Sequence, residues 1–156
     1  MAERRALIID DNISLAETVA EVLAGVGFDV DVATSGIEAL AAWRRGPATL
    51  VVVDIDLPDI GGARLARRLL RRAMCRLVLM SAGDPSRVAD LCDEFGAAFL
   101  PKPFSLAHFV ETIRLLTRDD QPNGATPARL ARRLPKPASP RALLQHSRLP
   151  RRLTHS

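Results

Sequence analysis

Cysteine occurs only twice in the 156 residues, histidine three times, tryptophan once, and tyrosine not at all. Cys75 and Cys92 lack the spacing of metal ligands, and both fall in apolar-patterned stretches, so two reduced, largely buried thiols are expected. His108, His146 and His155 are too scattered to share a metal. Neither a glycine-rich phosphate loop nor a dinucleotide fingerprint occurs, so nucleotide binding is not expected. No run of about eighteen apolar residues is present to cross a membrane. Glu3, Arg4 and Arg5 precede only a short apolar run before Asp10, unlike a secretory leader. A soluble, cytoplasmic protein is expected.

Hydrophobic residues make up 47% of the chain, enough for a sizeable core. The net charge of +4 is unevenly placed: residues 1–117 hold 13 Lys and Arg against 16 Asp and Glu, whereas residues 118–156 hold nine against two. The basic character belongs to the C-terminal stretch. That stretch is punctuated by Pro122, Pro127, Pro135, Pro137, Pro140 and Pro150 and has almost no β-branched or aromatic residues. Thr126-Pro127 and Ser139-Pro140 each have the form of an N-cap followed by proline, yet neither segment is long enough for a helix stable alone in water. The expected organisation is one domain over 1–117 and a basic, mostly disordered tail over 118–156.

Within 1–117, short apolar runs alternate with amphipathic stretches. The runs are Ala6–Ile9, Phe28–Ala33, Leu50–Val53, Leu77–Met80 and Ala97–Leu100, and their length and Val/Ile content suit strands buried on both faces. Between them the spacing predicts helices: one after Asn12 stopping at Gly27, one opened by the capping-box spacing Ser35 to Glu38, and one over Gly62–Ala73. Two more are predicted over Pro85–Phe95 and after Ser105. The third helix is sharply two-sided: Arg64, Arg67, Arg68, Arg71 and Arg72 fall within an arc of about 140°, opposite Leu65, Ala66, Leu69, Leu70 and Ala73. Five alternations of strand and helix predict an α/β sandwich, a parallel sheet covered on both faces.

Ligands of parallel α/β sheets bind outside the carboxyl ends of the strands. Asp10-Asp11 follow the first strand, Asp54 and then Asp56 the third, Ser81 the fourth and Lys102-Pro103 the fifth. Any one of these has an ordinary explanation as a cap, a turn or a solvated charge. Jointly they gather carboxylates that repel one another unless a cation or a proton intervenes, and the hard oxygen donors suit Mg²⁺.

These residues carry a resemblance. The acidic pair Asp10-Asp11, the Asp-x-x-Leu-Pro-x-x-x-Gly run from Asp54 to Gly62, Ser81-Ala82 and Lys102-Pro103 together resemble a receiver domain of the bacterial response-regulator type. The resemblance covers residues 1–117 and leaves the tail unexplained. It implies a flavodoxin-like, five-stranded parallel sheet of order 2-1-3-4-5 with helices on both faces. It also implies Asp54 as phosphoacceptor, attacking a phosphohistidine of a sensor histidine kinase or phosphotransfer protein. Asp11, Asp54 and the backbone carbonyl of Asp56 would hold Mg²⁺, with Asp10 acting directly or through water, and Lys102 would offset phosphoryl charge. Ser81 and Phe99 would form the switch; many relatives have Tyr where Phe99 stands, and Phe99 can only repack. Leu57 replaces a frequent Met, a small volume change. A cis Lys102–Pro103 peptide would fit, since cis costs least before proline. Any catalysis would be limited to the chain's own phosphotransfer and autodephosphorylation.

Two other readings compete. The Asp54-Ile55-Asp56 order also resembles the nucleophile motif of haloacid-dehalogenase-type phosphatases, but Leu57-Pro58 follows where those enzymes continue with glycine, and Asp10-Asp11 would have no role. The basic tail makes a DNA-binding regulator the runner-up reading, yet it has no second hydrophobic core, no helix-turn-helix pattern and no aromatic residues for stacking. The preferred expectation is a stand-alone receiver acting on an unknown output protein by direct contact.

Overall fold

The computed structural model describes residues 4–118; the expectations for the tail lie outside them. Five strands and five helices alternate: β1 (Arg5–Ile9), α1 (Ile13–Gly25), β2 (Asp29–Ala33), α2 (Gly36–Arg45), β3 (Leu50–Asp54), α3 (Gly62–Leu70), β4 (Arg76–Ser81), α4 (Pro85–Phe95), β5 (Ala98–Pro101) and α5 (Leu106–Thr117). All strand pairs are parallel, in the order β2-β1-β3-β4-β5.

The alternation of side chains along each strand divides the core in two. Ala6, Ile8, Val52, Val78 and Met80 face one side, where α1 and α5 bring Ala16, Val19, Leu23, Phe109 and Ile113. Leu7, Ile9, Val51, Val53, Leu77 and Leu79 face the other, covered by α2, α3 and α4 through Trp43, Leu65, Leu69, Val88 and Cys92. Residues of β3 are buried on both faces, as its unbroken Leu-Val-Val-Val run requires.

Helix starts follow local chemistry. Asn12, Ser35, Asp84 and Ser105 each accept a backbone N–H from the first turn of the helix they precede. Gly27, with φ of 97°, turns the chain after α1, a conformation that suits glycine. At α2 the capping box is displaced by one residue: Ser35 Oγ accepts the Glu38 N–H, but Glu38 Oε2 reaches the N–H and hydroxyl of Thr34. The third helix ends at Leu70, short of the predicted Ala73. Arg72 N–H turns back to the Leu69 carbonyl, a tightening of the last turn that starts the return to β4.

Candidate functional site

Parallel pairing brings every strand's carboxyl end to one edge, and the ladder runs one residue past the strands there. Asp10 N–H donates to Ala33 O at 3.1 Å, Ile55 N–H to Met80 O at 2.9 Å, and Lys102 N–H to Ser81 O at 2.8 Å. The residues that carry chemistry are therefore fixed by backbone as well as by side-chain contacts. Gly62 adds to this: a β-carbon there would lie 2.5 Å from both the Asp54 carbonyl oxygen and Ile55 Cα, so α3 can begin against the backbone of Asp54 only at glycine.

Lys102 stands at the centre. Its Nζ donates to Asp10 Oδ2 at 2.7 Å and to Asp54 Oδ2 at 2.9 Å. The remaining oxygens are held by backbone: Asp10 Oδ1 accepts from Asn12 N–H, and Asp54 Oδ1 from Asp56 N–H, both at 2.9 Å. Asp10 is fully buried, Asp54 is only 4% exposed, and Asp11 stands exposed beside them. Burial pushes the Asp10 carboxyl above its ordinary value, against the lowering by Lys102 and by the Asn12 N–H. Burial also works to lower Lys102, but its hydrogen bonds to Asp10 and Asp54 outweigh that, and the ammonium is held above its ordinary value. Lys102 is thus a fixed positive charge between two carboxylates.

Oxygens of Asp10, Asp11 and Asp54 lie within 4.8 Å of one another, a group able to hold a metal ion. Three carboxylates against one ammonium leave two negative charges uncompensated when all are ionised. The donor set is all hard oxygen, so a divalent, oxygen-loving cation fits both the charge and the chemistry. The Asp56 side chain takes no part in this group; it is exposed, and its Oδ2 accepts the Ser81 hydroxyl at 3.2 Å. Ser81 Oγ in turn accepts the Gly83 N–H at 2.9 Å.

The structure therefore joins Asp10, Asp11, Asp54 and Lys102 in one cluster and Ser81 with Asp56 beside it. Phe99 is half-buried on β5, packed against the core that α4 covers. Lys102–Pro103 is cis. Cys75 is half-buried and Cys92 buried, both free thiols as expected.

Sequence reasoning missed Asp59. Its carboxylate leaves the loop after β3 and accepts the N–H groups of Gly36 and Ile37 at 2.9 and 3.0 Å, tying the Asp54 loop to the first turn of α2. Between Pro58 and Gly61 an aspartate reads as a turn residue; only the adjacency of the β2–α2 and β3–α3 connections gives it a distant partner. It also missed that Arg67, on the stripe of α3, holds Glu94 of α4 by two hydrogen bonds of 2.7 and 3.0 Å.

Residues 6–114 match the response regulator receiver domain family. The DNA-binding response regulator MtrA of Mycobacterium tuberculosis is 35% identical over 122 residues, 76% of this chain and 54% of MtrA. The sensory transduction protein RegX3 of the same species is 32% identical over 113 residues, 72% of this chain and 50% of RegX3. This chain thus spans about half the length of the curated relatives it matches. Among solved structures, a response regulator protein from Burkholderia pseudomallei with a phosphorylated aspartic acid, a calcium ion and citrate aligns with a TM-score of 0.64 and 25% identity, covering 70% of this chain and 66% of that one.

Proposed function

This chain belongs to the response-regulator receiver-domain family, and from that membership we propose that it is a phosphoacceptor in which Asp54 takes a phosphoryl group from a phosphohistidine. One observation carries the assignment to Asp54: of the three clustered carboxylates, Asp54 is the one that both touches Lys102 and lies in the centre of the sheet edge, at the end of β3. The Burkholderia neighbour, with its phosphorylated aspartic acid and bound calcium, is consistent with that reading.

In this mechanism an Asp54 oxygen attacks phosphorus as the P–N bond to the donor imidazole breaks, and the imidazole leaves with that electron pair. Asp54 is presented for in-line attack because Lys102 and the Asp56 N–H hold its two oxygens. Asp10, Asp11, Asp54 and the backbone carbonyl of Asp56 would hold Mg²⁺, which when bound supplies charge neutralisation at the phosphoryl oxygens. Lys102, whose ammonium already touches the Asp54 carboxylate, would offset negative charge on the phosphoryl oxygens. Ser81 would leave Asp56 to donate to the new phosphoryl group, and Phe99 would repack into the space released.

Autophosphorylated histidine kinases are the expected donors, and the cytoplasm is the expected compartment; no described helix is long and apolar enough to cross a membrane. The output proposed is contact with a partner protein. DNA binding remains the second reading: MtrA is named a DNA-binding regulator, and residues 118–156 are strongly basic. The phosphorelay reading is tested with a panel of labelled histidine kinases. Label should pass from at least one kinase to the wild type and not to Asp54→Asn. Transfer from none, or equal transfer to the variant, contradicts it.

A further inference from the structure

The arginine stripe of α3 takes no part in phosphoryl transfer. Between α2 and α3, towards their carboxyl ends, lies a cavity of about 360 Å³ lined by Leu40, Trp43, Arg44, Arg68, Arg71 and Arg72. The four arginines come from both sides of the cavity, and all are exposed. None of their guanidinium groups makes an ion pair or hydrogen bond with another described residue. Arg67 and Arg5 behave differently, each holding a carboxylate at 3.0 Å or less.

The apolar wall is formed by Leu40 and Trp43. Trp43 is 2% exposed, and its buried Nε1–H has no hydrogen-bond partner among the described residues. The polar lining of the cavity is its four guanidinium groups, five N–H donors each, and it includes no side-chain acceptor. Basic residues in a last helical turn offset roughly half a negative charge per helix end, which four full charges exceed. They converge here although residues 1–117 as a whole are net negative.

An acceptor-only ligand of high negative charge is the complement of such a site. Guanidinium forks suit the paired oxygens of phosphate, and the volume lies within the roughly 300–1,000 Å³ of small-molecule pockets. The chain's own C-terminal stretch, nine basic residues against two acidic over 118–156, has the wrong charge to fill it. We infer that the α2–α3 cavity binds a small molecule carrying two linked phosphate groups. The inference is independent of phosphorylation at Asp54.

Trp43 is the only tryptophan, so the intrinsic fluorescence of the full chain reports on this cavity directly. Inorganic pyrophosphate is titrated at constant ionic strength without divalent metal, with ADP in a parallel series. The expected result is a saturable change in Trp43 emission with a midpoint below about 1 mM. In Arg68→Gln/Arg71→Gln the midpoint should rise at least about tenfold, with circular dichroism and labelling of Asp54 unchanged. Tighter binding of ADP than of pyrophosphate would identify a nucleotide as the source of the diphosphate, and equal or weaker binding the diphosphate group alone. No saturable response to pyrophosphate, a matching response to chloride, or an undiminished response in the double variant would overturn the inference.

Discussion

Ser81 and Asp56 hold each other: the Ser81 hydroxyl donates to Asp56 Oδ2 across 3.2 Å while accepting the Gly83 N–H at 2.9 Å. Before the hydroxyl can reach a phosphoryl group on Asp54, it must give up Asp56. If Asp54 is the phosphoacceptor proposed above, the Asp56 carboxylate opposes its phosphorylation twice, as a rival acceptor for Ser81 and as a negative charge close to where a dianionic donor must arrive. Asp56→Ala should therefore speed labelling by acetyl phosphate roughly threefold, the effect of one exposed charge several ångströms away. Rates from intact-mass time courses check this; an unchanged or slower rate would contradict it.

Among the described residues Lys102 is the sole ammonium beside two buried or nearly buried carboxylates. Removing one partner of a buried charge pair is costly because the other is left uncompensated. Lys102→Met should destabilise the fold by about 3 kcal/mol without divalent metal. Mg²⁺ should restore part of the loss, because an ion bound only by the folded state stabilises it. Urea unfolding with and without Mg²⁺ measures both effects. A variant as stable as wild type without metal would refute the central role given to Lys102.

Asp59 makes acid stability a property of the loop that follows Asp54. The Gly36 N–H, with those of Ile60 and Ile37, holds the Asp59 carboxyl below its ordinary value. The Thr34 N–H and hydroxyl do the same for Glu38. A carboxyl depressed in the folded state binds its proton more readily when unfolded, so stability rises with pH across that range. The contribution is complete above the ordinary carboxyl values of 3.8 and 4.5 and is lost as pH falls through the lower folded values. Asp59→Ala should be less stable at neutral pH and show a shallower loss between about pH 5 and pH 2. Urea midpoints across that range test it, and an unchanged slope would count against the clamp.

The thiols should be inert. Burial pushes Cys75 up to about 12, and burial with a smaller effect of Asp93 pushes Cys92 to about 11. At pH 7.5 the thiolate fraction of either is more than a hundredfold below that of a free cysteine near 8.5. Alkylation of native protein followed by mass should be slower by about that factor, and full in denaturant. Rapid labelling of the native chain would show that neither stretch is packed as described.

Much of this was legible because the residues concerned report on their own neighbourhood. The short, continuously apolar Leu50–Val53, rich in valine, suits a strand buried on both faces; Asp54 and Ser81 follow such runs directly, and Lys102 follows one after Pro101. Once the strands are parallel, those residues must meet at one edge. What escaped the sequence lies between elements. Asp59 gives no sign of capping α2 until the two connections are placed side by side. Arg67 belongs to the same charged stripe as Arg68, yet only the position of α4 gives it Glu94 and the Phe95 ring beneath it. The end of α3 at Leu70 escaped because its alternating arginine and leucine pattern runs on past the point where the chain must turn towards β4.

Intact-mass spectrometry after incubation with acetyl phosphate and Mg²⁺ tests Asp54 as the acceptor most directly. Wild type should gain one phosphoryl group only when Mg²⁺ is present, the group should map to the peptide bearing Asp54, and Asp54→Asn should gain none. A phosphoryl group on Asp54→Asn, or none on wild type with either acetyl phosphate or a phosphorylated kinase, would contradict it.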